Sequence, residues 1–209
     1  MTTATRSRLT LPERVLYAAE VEPVTRGGVV SGLQGRAVPY AVWTNRGFFM
    51  ESVAAGAFDK SISEAAAGLP LLLFHDDERM PIGLSCEWIS RPEALYGDWS
   101  LDEGEEAQRA GALARDGLLG WFSVGHMPIR SSWDYVAADA WDPDKGPAFM
   151  DHVTRIETRL VETSLVSTPA FASARVLETY ARTSVARSPG ATATPRLAAW
   201  RRWRATLGD

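Results

Sequence analysis

The chain has 209 residues, 45% hydrophobic and 23% charged, with a formal net charge of −4 and a mean hydropathy of −0.14, the profile of an ordinary globular domain. That balance gives no broad basic field for nucleic acid, and no apolar run approaches the roughly 18 residues that span a bilayer. A single cysteine, Cys86, excludes an internal disulfide and, with a first segment lacking the apolar core of a secretory signal, leads us to expect a reducing, cytoplasmic setting.

Residues 1–28 are polar, mixed in charge and broken by Pro12 and Pro23, and read as a mobile N-terminal segment. Residues 29–183 carry the pattern of one folded domain. Val29 to Val38 alternates well enough for a strand whose glycines suggest a bulge or sharp coiling, and Phe48 to Val53 resumes an extended run. Gly56 to Gly68 predicts a short helix, with Asp59 or Ser61 as N-cap and Phe58 and Ile62 facing inward. Leu69 to Phe74 is a nearly continuous apolar strand that ends at His75 and an acidic turn.

Glu87 to Arg91 and Leu95 to Leu101 then predict a hairpin around Pro92-Glu93, and Asp102 can cap a helix from Glu103 to about Gly117. The next strand, Gly120 to His126, is apolar except for Ser123 near its middle. Ser131 to Met150 shows no period and is longer than most loops, which at that length are functional or disordered. His152 to Val166 predicts a long strand, and Thr168-Pro169 the start of a helix running to about Thr183. Residues 184–209 hold a Ser/Thr/Ala/Pro-rich linker, Ser184 to Pro195, and a basic, aromatic tail around Trp200 and Trp203. Strands outnumber helices and short connections dominate, so the expected fold is mainly β with flanking helices (α+β), a coiled antiparallel β-barrel.

Three proton-handling groups sit near the ends of apolar strands. His75 is either a strand-end histidine bonded to backbone or a general base held on a rigid edge. Ser123 is either a small residue on a wet face or a nucleophile; its bulky neighbours Trp121, Phe122 and Val124 place the strand against a core, and Gly125 leaves room for a substrate backbone. The glycine spacing is not that of the nucleophile elbow, since Gly120 lies three residues before Ser123. Glu162 is either solvated or paired, and a paired carboxylate orients an imidazole and stabilises its cation. Cys86 has no basic neighbour and reads as a buried or inert thiol. His126, His152 and Asp151 match no metal-ligand spacing, and no metal or other cofactor is expected.

Five segments in order carry a resemblance. They are Gly35-Arg36-Ala37-Val38-Pro39-Tyr40; Glu51 to Phe58 ("E-x-[IV]-x-x-G-A-F"); and Leu73-Phe74-His75-Asp76 with Ile82-Gly83 following. After them come Phe122-Ser123-Val124-Gly125 and Leu160 to Ala170, the last close to "L-x-E-[VI]-S-L-V-x-x-P-A". Over residues 29 to 178 the chain resembles the prohead maturation proteases of tailed bacteriophages, which are distantly related to herpesvirus assemblins. The resemblance implies an assemblin-like barrel and a serine endopeptidase with Ser123 as nucleophile, His75 as base and Glu162 as third member. His126 or His152 stays open as that third member, and His126 departs from the aromatic the family carries there. The implied substrates are the capsid precursor or scaffolding protein and the protease itself, cut within the Ser184 to Pro195 linker. A homodimer is expected by analogy, in the cytoplasm of the infected bacterium and inside the assembling prohead. The competing expectation is a non-catalytic capsid assembly protein on the same barrel, and a third is a metal-dependent hydrolase.

Overall fold

The computed structural model of the chain describes residues 21–23, 29–65, 68–171 and 173–182. The linker, the basic tail and nearly all of the N-terminal segment lie outside the described residues. Among the described residues there are ten strands and two α-helices: β1 (Val21–Pro23), β2 (Gly32–Pro39), β3 (Thr44–Asn45), β4 (Phe49–Val53), α1 (Asp59–Glu64), β5 (Pro70–Leu73) and β6 (Gly83–Ser90) come first. After these come β7 (Ala94–Leu101), α2 (Glu105–Arg115), β8 (Trp121–Asp134), β9 (Asp151–Val166) and β10 (Arg175–Arg182).

Seven strands close a barrel in the order β10-β2-β7-β6-β5-β9-β8, and β8 returns to β10 through Trp121↔Arg175. Phe122 N–H donates to Ala174 O and Val176 N–H to Gly120 O, which complete that seam. The fold is therefore the α+β, assemblin-like barrel, with one refinement. β9 runs parallel to both β4 and β5 and antiparallel only to β8, so the barrel is mixed. The interior is filled by Leu33, Leu71, Leu95, Trp99, Phe122 and Leu165, each fully buried. Trp99 stacks on Phe122 with ring centroids 4.2 Å apart and meets Trp88 edge-on at 5.2 Å. Gly35 makes that packing possible, because a Cβ there would drive into the Phe122 ring at 2.7 Å.

β9 is the organising strand. One edge pairs with β8 along its length, while the other takes β4 at residues 151–155 and β5 at residues 163–165. The gap between those partners is filled by α1 and the turn before it. Thr158 N–H donates to Ala57 O and Leu160 N–H to Ser61 Oγ, so the buried backbone donors stay satisfied. Ser61 thus serves β9 rather than capping α1, whose N-cap is Phe58 without a side-chain bond. At the far end Arg155 Nε bonds buried Glu51 at 2.7 Å, and its guanidinium lies about equally close to the Phe49 and Trp133 rings, which meet each other edge-on.

Two expectations change. The helix from Thr168 to Thr183 is instead a turn followed by strand β10, ordered by pairing with β2 on one side and meeting Trp121 of β8 on the other. The capping signal Thr168-Pro169 sits in the turn, and the backbone groups that an open barrel would leave unpaired outweigh it. The long loop is also shorter than predicted, since β8 continues to Asp134; what remains holds two 3-10 turns, at Pro143–Lys145 and Pro147–Phe149.

Alternation along β9 puts Thr163 inside the barrel, fully buried, with its hydroxyl unpartnered among the described residues. Replacing it by the isosteric Thr163→Val removes the desolvated hydroxyl. Stability should rise by about 1 kcal/mol, seen as a higher urea midpoint with an unchanged slope.

Candidate active site

The ladder places the three sequence candidates on one patch of barrel wall. Ser123 of β8 lies directly opposite Ser164 of β9, and Ser164 lies opposite Leu72 of β5. Glu162 faces Gly125. Because Phe122 and Leu165 point into the core, Ser123, Gly125, Glu162 and Ser164 share the outer face.

A continuing strand would carry His75 away from this face; the backbone reverses instead. Phe74 and His75 both adopt left-handed conformations, with φ of 57° and 61°, which for non-glycine residues costs about 1–3 kcal/mol each. The turn is held by Phe74 N–H to Leu165 O at 3.1 Å, Asp76 N–H to Leu73 O at 3.0 Å and His75 N–H to Ser164 Oγ at 3.0 Å. It brings the imidazole back onto β9, where Nδ1 meets Glu162 Oε1 at 2.7 Å. The other carboxylate oxygen, Oε2, accepts from Ser164 Oγ at 2.7 Å.

Room for the carboxylate comes from Gly125. A Cβ there would overlap Glu162 Oε1 and crowd its Cγ at 3.0 Å. The space left by the missing side chain is therefore occupied by Glu162, not by substrate backbone as the sequence suggested. His75 and the bare side of β8 touch the same oxygen, two residues along the strand from Ser123. Ser123 itself is mostly buried, and its hydroxyl makes no side-chain hydrogen bond to another described residue. The structure joins His75 to Glu162; Ser123 is placed beside them through the register and not through a bond.

A carboxylate only accepts, so the neutral imidazole of His75 carries its proton on Nδ1 and leaves Nε2 as a lone-pair base. The Glu162 hydrogen bond, reinforced by its charge, raises the imidazole above its ordinary value of 6.5, against opposing desolvation and the Arg46 charge. Glu162 is buried while the His75 ring is nearly half exposed, so imidazole and carboxylate meet at the solvent boundary.

The other histidines lie elsewhere. His126 follows a register shift, and its Nδ1 lies 2.8 Å from Thr158 Oγ1, whose own proton goes to Met127 O. Its ring packs edge-on against Phe58, and burial pushes its pKa down. His152 donates from Nδ1 to Met150 O and meets Trp43 edge-on. Neither faces a carboxylate through its bonded nitrogen. Cys86 is exposed on β6, not buried. Among the described residues no three His, Cys, Asp or Glu side chains gather to hold a metal ion. Ser164 is the site residue that the sequence reading did not single out; its signal was a hydroxyl two residues after Glu162, hence on the same strand face.

A closed mixed barrel carrying a serine on β8, a carboxylate on β9 and that carboxylate's imidazole partner just past β5 places the chain in the assemblin-like fold class. The family model described as caudovirus prohead serine protease matches residues 20–187, and the chain belongs to that family. Membership carries a protease role in phage prohead maturation. No curated protein and no solved structure matches the chain.

A histidine with a raised pKa adds stability that is complete below the unfolded value and is lost as pH rises through the folded one. Gly125→Ala displaces Glu162 and should remove that contribution. The His75 ring, followed by NMR, is expected to titrate closer to 6.5 in the variant than in the parent protein.

Proposed function

We propose that the chain is a serine endopeptidase that cuts the capsid precursor or scaffolding protein and its own C-terminal linker during prohead assembly in the infected bacterium. Ser123 is the nucleophile, His75 the general base and Glu162 the group that orients and stabilises its cation. The observation that carries this reading is the 2.7 Å contact between His75 Nδ1 and Glu162 Oε1. Of the three histidines, His75 alone has its bonded nitrogen on a carboxylate, and Nε2 is left to accept a proton.

In the reaction His75 Nε2 takes the Ser123 hydroxyl proton as Oγ attacks the peptide carbonyl, and the imidazolium is held by Glu162. Collapse of the tetrahedral adduct breaks the C–N bond, and His75 returns the proton to the leaving amine. Water, deprotonated by the same imidazole, then hydrolyses the Ser123 ester and restores both side chains. The Ser123–His75 hydrogen bond is unformed in the resting protein, a separation that substrate binding closes in many hydrolases. A polypeptide substrate also suits the wall itself. From Ser123 to Asp134 the second edge of β8 has no strand partner among the described residues, so it offers backbone groups to an extended chain.

The unformed bond is equally what a non-catalytic assembly protein on this barrel would show, and substitution separates the two. Ser123→Ala should give stable, uncut protein, while the parent shortens itself or cuts co-expressed capsid precursor and reacts with a serine-directed phosphonate. Equal processing by both proteins, or none by either, would overturn the assignment.

Activity requires neutral His75, whose proton Glu162 holds more tightly than usual. The acid limb of kcat/KM should therefore lie above pH 6.5. Glu162→Gln should lower the rate on the order of 10³-fold and move the limb to lower pH. An unmoved limb would remove Glu162 from the site.

A further inference from the structure

We propose that Ser164 is a positioning residue of this site, whose single hydroxyl sets the orientation of both the base and its carboxylate. The proposal rests on the reading of His75 and Glu162 given above. Ser164 is fully buried, and the capacity of its hydroxyl is divided between two partners. It donates its one proton to Glu162 Oε2 at 2.7 Å and accepts the His75 backbone N–H at 3.0 Å.

Each bond removes a different freedom. The bond to Oε2 fixes rotation of the carboxylate about its last torsion, which is broad and soft in an isolated glutamate, and so aims Oε1 at the imidazole. The bond from His75 N–H anchors the double left-handed turn at the residue whose ring must reach Glu162. Strained backbone of this kind persists only where its surroundings over-determine it, and Ser164 supplies the side-chain part of that restraint.

Position in the ladder adds a third effect. Ser164 is the cross-strand neighbour of Ser123, with Cβ atoms of such pairs about 5 Å apart. A hydroxyl there would otherwise be a ready donor to Ser123 Oγ and would blunt it as a nucleophile. Commitment of the Ser164 proton to Glu162 prevents this. One buried side chain thus holds the carboxylate and the base turn together and spares the attacking oxygen.

The test compares Ser164→Ala with the parent protein and with Glu162→Gln. With purified capsid precursor as substrate, kcat should fall on the order of 10²-fold, as displacement of a catalytic group by about 1 Å does, while KM stays within about threefold. The NMR titration of the His75 ring should move down toward that of Glu162→Gln. In the Glu162→Gln background, Ser164→Ala should cost less than it does in the parent protein, because part of its effect passes through that carboxylate. A kcat within about threefold of the parent would overturn the proposal, as would a lost kcat with an unmoved His75 titration or fully additive losses. Should the alanine variant not fold, Ser164→Cys keeps the volume but donates and accepts weakly, and the same measurements decide. The His75 titration needs no turnover. It therefore reads the Ser164 coupling even if the Ser123→Ala comparison shows that this chain cuts nothing.

Discussion

The arrangement depends on one close approach, the carboxylate of Glu162 lying across β8 where Gly125 has no side chain. Everything at the site is referred to that oxygen. The β8–β9 register puts Glu162 opposite Gly125 and not opposite its bulkier neighbour Val124. The backbone reversal at Phe74 and His75 has a destination because a buried acceptor waits at its end. A slip of one residue in this ladder would turn Glu162 into the hydrophobic interior and Thr163 outward. The register is therefore a chemical requirement as well as a structural one, and Phe122 and Leu165, fully buried on the same ladder, enforce it.

Much of this was legible before the fold was known, and the reason is physical. His75, Ser123 and Glu162 each interrupt a run of apolar residues, and a polar group in such a run is conspicuous because burial there requires a partner. The hairpin of β6 and β7 was legible from Pro92-Glu93 between two alternating runs, and α2 from its acidic start and alanine stripe. What the sequence could not supply was anything settled by distant partners. The turn before β10 carries a respectable helix start, yet barrel closure decides the conformation that follows, and closure is a property of strands more than fifty residues apart. The parallel ladders of β9 are of the same kind, since pairing with β4 and β5 leaves no local mark.

The role of Gly125 shows the finer limit. A glycine beside a candidate nucleophile signals a close approach, and a close approach there is. Which group approaches depends on the cross-strand residue, visible only once β8 and β9 are in register. Ser164 was hidden differently: serine in a strand is ordinary, and only the left-handed turn beside it gives the hydroxyl a second partner. Between them these residues explain how a histidine just beyond a four-residue strand is held against a buried carboxylate.

The seam at β10 bears on what a cut in the following linker would do to the barrel. β10 ends at Arg182, and the linker that begins at Ser184 follows it in sequence. Every barrel strand described above therefore precedes that linker in sequence. The three residues of β1 clasp the last turn of this seam at Arg182, Ala181 and Tyr180. Under the self-cleavage proposed above, scission beyond the clasp would unload a basic appendage without unlacing the wall.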